Sequence, residues 1–285
     1  MGVLNVTPDS FSDGGRYLHA HAALAHAQGL VREGAHILDV GGESTRPGAE
    51  PVGLEDELAR VRPVLEGLAA AGVPARAQIS IDTCKAPVAR MALDAGATLV
   101  NDVSALRADP EMAGLVAERE ADCCLMHMLG EPRTMQRAGG PRYEDVVDDV
   151  KAFLEERLAF AVAEGVAEAR IMLDPGIGFG KTAEHNLELL ARLHELVSLG
   201  RPLVVGTSRK SFLGRIAAAS CGGGGPAPAQ ERLPGTIATN VLALERGASV
   251  FRVHDVAAVG AALAVAAATL GGRWKSTVGT TTRTS

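Results

Sequence analysis

Eight short apolar runs, each followed by polar or charged residues, constrain what this 285-residue chain can fold into. The runs are Gly2–Val6, His36–Val40, Gln78–Ile81, Thr98–Val103, Cys123–Met128, Arg170–Leu173, Pro202–Val205 and Ser249–Val253. Most are continuous rather than alternating, the pattern of strands buried on both faces of a parallel sheet. Helical periodicity fills the gaps. Leu54, Leu58, Val61, Leu65 and Leu68 form one stripe, with Pro63 expected to kink it, and Val146, Val150, Phe153, Leu158 and Ala161 form another. Eight strand–helix units in this length predict an α/β fold, a single (β/α)8 TIM barrel over residues 1–270, with long mobile loops after strands 1 and 2. A doubly wound open sheet is the competing architecture.

Only 3% of the residues are aromatic, so the core must be built from Ala, Val and Leu. With 28 basic against 34 acidic residues and no basic run, nothing points to nucleic acid as a partner. No charge-free apolar stretch reaches membrane-spanning length, and the Ala-rich segment Ala257–Leu270 reads as a buried helix. The chain opens directly on a strand-like segment, with no signal-peptide pattern. Cys84, Cys123, Cys124 and Cys221 show neither CxxC spacing nor disulfide density, which predicts reduced thiols and a cytoplasmic location. Cys123 and Cys124 are expected on opposite faces of one buried strand. Two stretches lack periodicity. Cys221–Gln230 reads as a mobile insert in the seventh strand–helix loop, and 271–285 as a disordered tail carrying Trp274.

The C-terminal ends of the runs are more informative. Strand one ends at Asn5, strand two at Asp39, strand three at Asp82, strand four at Asn101 and Asp102, and strand five at His127. Strand six ends at Asp174 and opens PGIGFGK, strand seven opens GTSRKS, and strand eight carries Arg252, His254 and Asp255. In a barrel these ends converge on the C-terminal rim, where such folds place their sites. One Asp after a strand is often only a helix N-cap. Eight polar ends in a row mark a site.

Asp82, Asn101 and Asp174 would lie deep in the mouth, where buried carboxylates need donors. Lacking a His or Cys cluster, they suit an aminopyrimidinone edge, with Asp174 accepting from its NH2 and ring NH. The Lys210 ammonium could lie over a planar ring or donate to it; a solvated loop lysine is the bland alternative. Arg252 and His254 point the same way from strand eight, in the quarter where barrels bind phosphate, against a core-histidine reading of His254. Asn5 with Asp9 and Asp13 offers oxygen ligands to Mg2+, although both aspartates also suit turns. Gly176, Gly178 and Gly180 spell a GxGxG that lacks the Rossmann context. His19, His21 and His26 read as decoration of a polar helix face.

Taken together, MGVLNVTPDSFSDGG, DVGGESTRPGA, ISIDT, NDVS, CLMHM, LDPGIGFGK, GTSRKSFLG and RVHDV resemble the dihydropteroate synthase family, in order, to about residue 256. The resemblance implies a Mg2+-dependent transferase of folate biosynthesis that condenses a dihydropterin diphosphate with 4-aminobenzoate. It implies that Asp82, Asn101, Asp174 and Lys210 hold the pterin, with Met128 and Gly206 lining its pocket. Arg252, His254 and Asn5 would take the diphosphate, with Asn5 ligating Mg2+ and Asp13 assisting. Phe11, Thr45, Arg46, Pro47, Phe179 and Ser211 would form the 4-aminobenzoate site. Asp82, Asp174, Lys210, Arg252 and His254 are the residues expected to act on the transition state. A homodimer is also implied, with the small residues of Ala257–Leu270 permitting close helix contact.

In two places the sequence departs from that family's pattern. Met1 lies inside the first strand motif, so strand one is expected to fray, and the Cys221–Gln230 insert is long and loose. The rival readings are a methyltetrahydrofolate-dependent methyltransferase and a non-catalytic pterin-binding paralogue. A methyltransferase has no use for the SFSDGG and STRPG loops or for SRKS, and the intact Asn5, Asp174, Lys210, Arg252 and His254 weigh against the paralogue.

Overall fold

Parallel strands and helices alternate along the chain, as the apolar runs require. The computed structural model describes residues 1–7, 16–44, 48–130, 140–220 and 225–272. Phe11, Asp13, Thr45, Arg46, Pro47, the start of the glycine-rich insert and residues 273–285 lie outside these. The order begins β1 (Gly2–Asn5), α1 (Arg16–Arg32), β2 (Ile37–Gly41), α2 (Leu54–Ala70), β3 (Gln78–Asp82) and α3 (Ala86–Asp94). It continues β4 (Leu99–Asp102), α4 (Met112–Glu118), β5 (Asp122–Met126), α5 (Val146–Ala163), β6 (Ile171–Asp174), α6 (Ala183–Ala191) and α7 (His194–Val197). Last come β7 (Val204–Val205), α8 (Ser211–Ser220), α9 (Leu233–Glu245), β8 (Val250–Phe251) and α10 (Val256–Gly271).

Strands β1 to β6 form one parallel sheet in sequence order, and β7 pairs with β8. Single bridges join the two: Leu173 to Leu203 at one seam, Gly2 to Val253 at the other. The expected fraying of strand one is not what the structure has. Val3 donates to the Val253 carbonyl at 3.0 Å, Val253 to that of Met1 at 2.9 Å, and Val6 to that of Gly41 at 2.8 Å. Both edges of β1 are hydrogen-bonded.

The register decides which residues face the barrel interior and which face the helices. In-register neighbours share a face. Asn5, Gly41, Asp82, Asn101 and Cys124 therefore occupy one level of one face, and Asp39, Ser80 and Leu99 the level below. The opposite face carries Leu4, Leu38, Val40, Ile79, Ile81, Val100, Cys123, Leu125, Ile171, Leu173 and Val205, all within the main apolar cluster. The helix-facing side is thus the core, and the other side, the barrel interior, carries the polar residues Asn5, Asp39, Ser80, Asp82 and Asn101 alongside apolar ones such as Leu99. Asp102 differs from its neighbour Asn101. It turns to the other face and accepts from the Ser104 and Leu106 amides at 2.7 and 2.9 Å, a local cap.

Local chemistry starts the helices. Glu55, Asp56 and Glu57 fill the first turn of α2, where the helix dipole favours them, and α2 runs through Pro63. Asp145 caps α5 through the Val147 and Asp148 amides. Its buried stripe is Val146, Val147, Val150, Leu154, Arg157 and Ala161; Phe153 and Leu158 flank it half-buried rather than forming it. Cys123 and Cys124 are both buried on opposite faces, as alternation demands. His21 and His26 are exposed.

Two expectations about helices need correction. The Gly/Pro-rich insert does not follow β7 directly, because SFLGRIAAAS has the alanine content and apolar spacing to form α8 first. The insert connects α8 to α9, and its second half is tied down by Ala227 donating to Gly214 at 3.1 Å and by Arg232 donating to Ala227 at 2.7 Å. Nor is Ala257–Leu270 a buried helix. Only Val256 and Val259 of α10 are buried, while Val265 and Leu270 are 69% and 56% exposed. Among the described residues, no helix is long and apolar enough to cross a membrane.

Candidate active site

Arg252 enters the barrel from β8 and pairs with carboxylates from two other strands. Its Nε lies 2.6 Å from Asp39 Oδ2 and its Nη2 2.7 Å from Asp82 Oδ2. Asp39, wholly buried, also accepts from Ser80 Oγ at 2.6 Å and Asn101 Nδ2 at 3.1 Å. Four strands therefore meet in one charged floor. Such a group of charges persists in a buried site only because each carboxylate has a donor.

Asp174 stands at the end of β6, held by the Gly176 amide at 2.7 Å from Oδ1. The next loop carries Phe179, and Lys210 Nζ lies 4.6 Å from the Phe179 ring centroid while donating to the Ile177 carbonyl. Gly178, at φ +86°, is the residue this crossing requires, since a Cβ there would sit 2.9 Å from Lys210 Cδ. The lysine itself is aimed by a turn. Lys210 N donates to the Thr207 carbonyl, with Arg209 at φ 60° in the left-handed region. Arg209 is held there by Asp255, at 3.0 and 2.6 Å.

The charges in this mouth are strongly perturbed. Burial pushes the Asp82 carboxyl up to about 7, with Arg252 opposing and Asp39 adding to the rise. Burial likewise raises Asp174, against the pull of Lys210. Lys210 is lowered to about 7 by burial, with Asp174 resisting. Burial works against the Arg252 charge, but Asp39 and Asp82 outweigh it and hold the guanidinium above its usual range. Groups displaced from their ordinary values in a cleft are candidates for chemistry.

The other expected residues fall around this floor. Asn5 shares the level of Asp82 and Asn101. Met128 packs with Val103 and Met126 in a small apolar cluster edged by Cys84 and Phe179. Gly206 faces the Arg252 stem, where an added Cβ would lie 3.7 Å from Arg252 Cβ, an ordinary contact. Ser211 is exposed at the start of α8. His254 turns its Nδ1 to Ser208 Oγ at 3.0 Å, on the β7 side of β8, whereas Arg252's partners Asp39 and Asp82 stand on β2 and β3. Among the described residues no group of three or more His, Cys, Asp or Glu side chains is arranged to hold a metal ion. Asn5 alone would suit Mg2+, which takes one or two protein oxygens and completes its shell with phosphate and water.

Sequence reasoning marked Asp39 as a polar strand end without giving it a role, and passed over Ser80, Ser208 and Lys181. Phase was the available signal for the first two: Asp39, Ser80 and Asp82 alternate on their strands in the phase that faces inward. Nothing local distinguishes Lys181 or Ser208.

Known proteins resemble this chain over most of its length. The profile of the pterin binding enzyme family matches residues 1–254. The dihydropteroate synthase of Synechocystis sp. is 47% identical over 260 residues, 91% of this chain and 86% of that one. A structure of Xanthomonas albilineans dihydropteroate synthase with 4-aminobenzoic acid is 44% identical with a TM-score of 0.85, covering 95% of this chain and 92% of that one. The same bacterium's enzyme in complex with 7,8-dihydropteroate is 41% identical with a TM-score of 0.82, at the same coverage.

Proposed function

Given that the chain belongs to the pterin binding enzyme family and, within it, to the dihydropteroate synthases, we propose that its polar barrel floor and the Lys210–Phe179 crossing carry the condensation of a dihydropterin diphosphate with 4-aminobenzoate. The observation that carries this is the convergence of Asp82, Asn101, Asp174, Lys210 and Arg252 from five strand ends onto one mouth. Asp174 accepts from the amino and ring NH groups of the pterin, Asn101 and Asp82 flank it, and Lys210 donates to its far edge. Met128 and Gly206 bound the ring. Arg252 and His254 take the diphosphate. Phe179 and Ser211, with Phe11, Thr45, Arg46 and Pro47, bound the 4-aminobenzoate.

The chemistry is dictated by where charge develops. As the C–O bond to the diphosphate breaks, positive charge spreads into the electron-rich dihydropterin, and negative charge builds on the departing oxygen. Asp174 and Asp82 stabilise the first, and Arg252 and His254 the second, from positions set before the substrates arrive. The arylamine nitrogen then bonds to the carbon and releases its proton. Asn5, assisted by Asp13, would hold Mg2+, which neutralises diphosphate charge when bound.

The barrel over 1–270 acts as one domain. The exposed apolar residues of α10, Val265 and Leu270, support a homodimer, and the free thiols of Cys84, Cys123 and Cys124 support a cytoplasmic setting. One assay tests the function. Purified protein with dihydropterin diphosphate, 4-aminobenzoate and Mg2+ should release pyrophosphate one-for-one with dihydropteroate; pyrophosphate release at the uncatalysed rate overturns the reading.

A further inference from the structure

Lys181 ends the glycine-rich loop after β6, yet its side chain folds back beneath that loop and is only 3% exposed. Its Nζ meets three partners: His127 Nδ1 at 2.8 Å, the Gly176 carbonyl at 3.0 Å and the Phe179 carbonyl at 3.1 Å. We propose that Lys181 is a positioning residue for the arylamine and pterin sites, a buried cross-link that fixes the loop carrying Phe179 onto the end of β5. This inference rests on the functional reading above, because Phe179 matters only if an arylamine packs against it.

The loop needs such a tie. Gly176, Gly178 and Gly180 all have positive φ, at 66°, 86° and 60°, so its own backbone restricts it little. It also lies very close to β5 and the residues after it: a Cβ on Gly176 would come within 1.8 Å of the His127 carbonyl oxygen, and one on Gly180 within 2.3 Å of that of Leu129. Side chains cannot mediate so close a contact, and Lys181 Nζ reaches beneath instead. The lysine is anchored from behind by α6, where Thr182 and His185 form a reciprocal cap.

Each of the three partners leads to a substrate-facing group. Gly176, whose carbonyl accepts from Lys181, donates its own amide to Asp174 Oδ1 at 2.7 Å. Phe179, whose carbonyl also accepts, presents its ring to Lys210 at 4.6 Å. His127 hydrogen-bonds backbone to backbone with Asp174 and packs edge-on to Phe153 at 4.8 Å. Burial, with Lys181 and Arg107 beside it, keeps the His127 ring neutral, which leaves one ring nitrogen free to accept. One nitrogen thus sets the spacing between the pterin acceptor and the arylamine wall.

The test is a double-substitution cycle on the full chain with Lys181→Met, which keeps length and removes the donors, and Phe179→Ala. Steady-state constants are normalised to folded protein. Lys181→Met should raise the KM for 4-aminobenzoate by about tenfold, the scale of leaving buried acceptors without their donor, while kcat changes by less than about threefold. In the Phe179→Ala background the same substitution should change KM by less than about twofold, because the group it acts through is gone. A purely structural lysine predicts a lower melting temperature with wild-type constants per folded molecule. That result, or an undiminished KM effect in the Phe179→Ala background, overturns the proposal. Should Lys181→Met not fold, Lys181→Leu, which also lacks the donors, goes through the same cycle with the same criteria. The unsubstituted chain, assayed alongside, reports on the functional reading separately.

Discussion

Arg252 and Asp39 lie 213 positions apart in the chain and are joined across the barrel by a 2.6 Å charge-assisted hydrogen bond. The bond fixes the guanidinium proposed to take the diphosphate, from a strand whose polar residue need not touch substrate. Asp39 is the hub, accepting at the same time from Ser80 and Asn101. Removing it leaves three donors facing an empty, buried position.

Asp39→Ala should therefore destabilise the fold by about 3–5 kcal/mol, the cost of breaking a buried ion pair from one side. Asp39→Asn keeps the volume and should fold more stably than Asp39→Ala. Its kcat/KM should still fall more than about tenfold, because the Arg252 partner has lost its charge. Thermal melts and pyrophosphate release check both. Wild-type kcat/KM in Asp39→Asn would remove Asp39 from any part in aiming Arg252.

Asp82 predicts an unusual slope of stability with pH. Its folded-state pKa is raised to about 7, whereas in the unfolded chain the carboxyl loses its proton at ordinary acidic values. Between those limits the folded state holds a proton that the unfolded state has released, so this group's contribution to stability falls as pH rises. The contribution is fully present in acid and lost by the time pH passes about 7. Asp82→Asn cannot titrate and should lack that slope. Melting temperatures of both proteins, taken at half-unit steps across the window, should converge or cross; parallel curves would place the Asp82 pKa in the normal range.

Asp174 and Lys210 are read as gripping opposite edges of one heterocycle. Asp174→Asn replaces an acceptor by a mismatched donor and should weaken pterin binding by roughly 1.5–3 kcal/mol. Calorimetry should register at least about a tenfold rise in Kd for Asp174→Asn and for Lys210→Ala. Unchanged affinity in both variants would sink the pocket assignment.

Gly178 tests the crossing between loop and lysine. Alanine there must adopt φ +86° and bring its Cβ to 2.9 Å from Lys210 Cδ. The backbone strain alone should cost roughly 1–2 kcal/mol, and the displaced lysine should also weaken pterin binding. Loss of stability with intact pterin affinity would mean that Lys210 relocates without consequence.

Much of this protein is legible in its sequence. The eight runs, the helical stripes and the order of polar strand ends are local patterns, and they predict alternation, strand count and the rim that bears the site. Asp82, Asn101, Asp174, Lys210 and Arg252 are legible in this way because each ends or succeeds an apolar run. The structure had to decide partners. Asp39 looks like any strand-ending aspartate until register places it beside Ser80 and beneath Arg252. Lys181 looks like a solvated lysine at a helix start until its side chain is seen turned inward to His127. Burial on α10 went the other way, since only Val256 and Val259 of this apolar helix are buried. Periodicity reports which face of an element is apolar, a property of residues three or four apart. Which charge meets which, and at what depth, depends on strand register and ring closure over hundreds of positions, and those are settled only when the whole chain has folded.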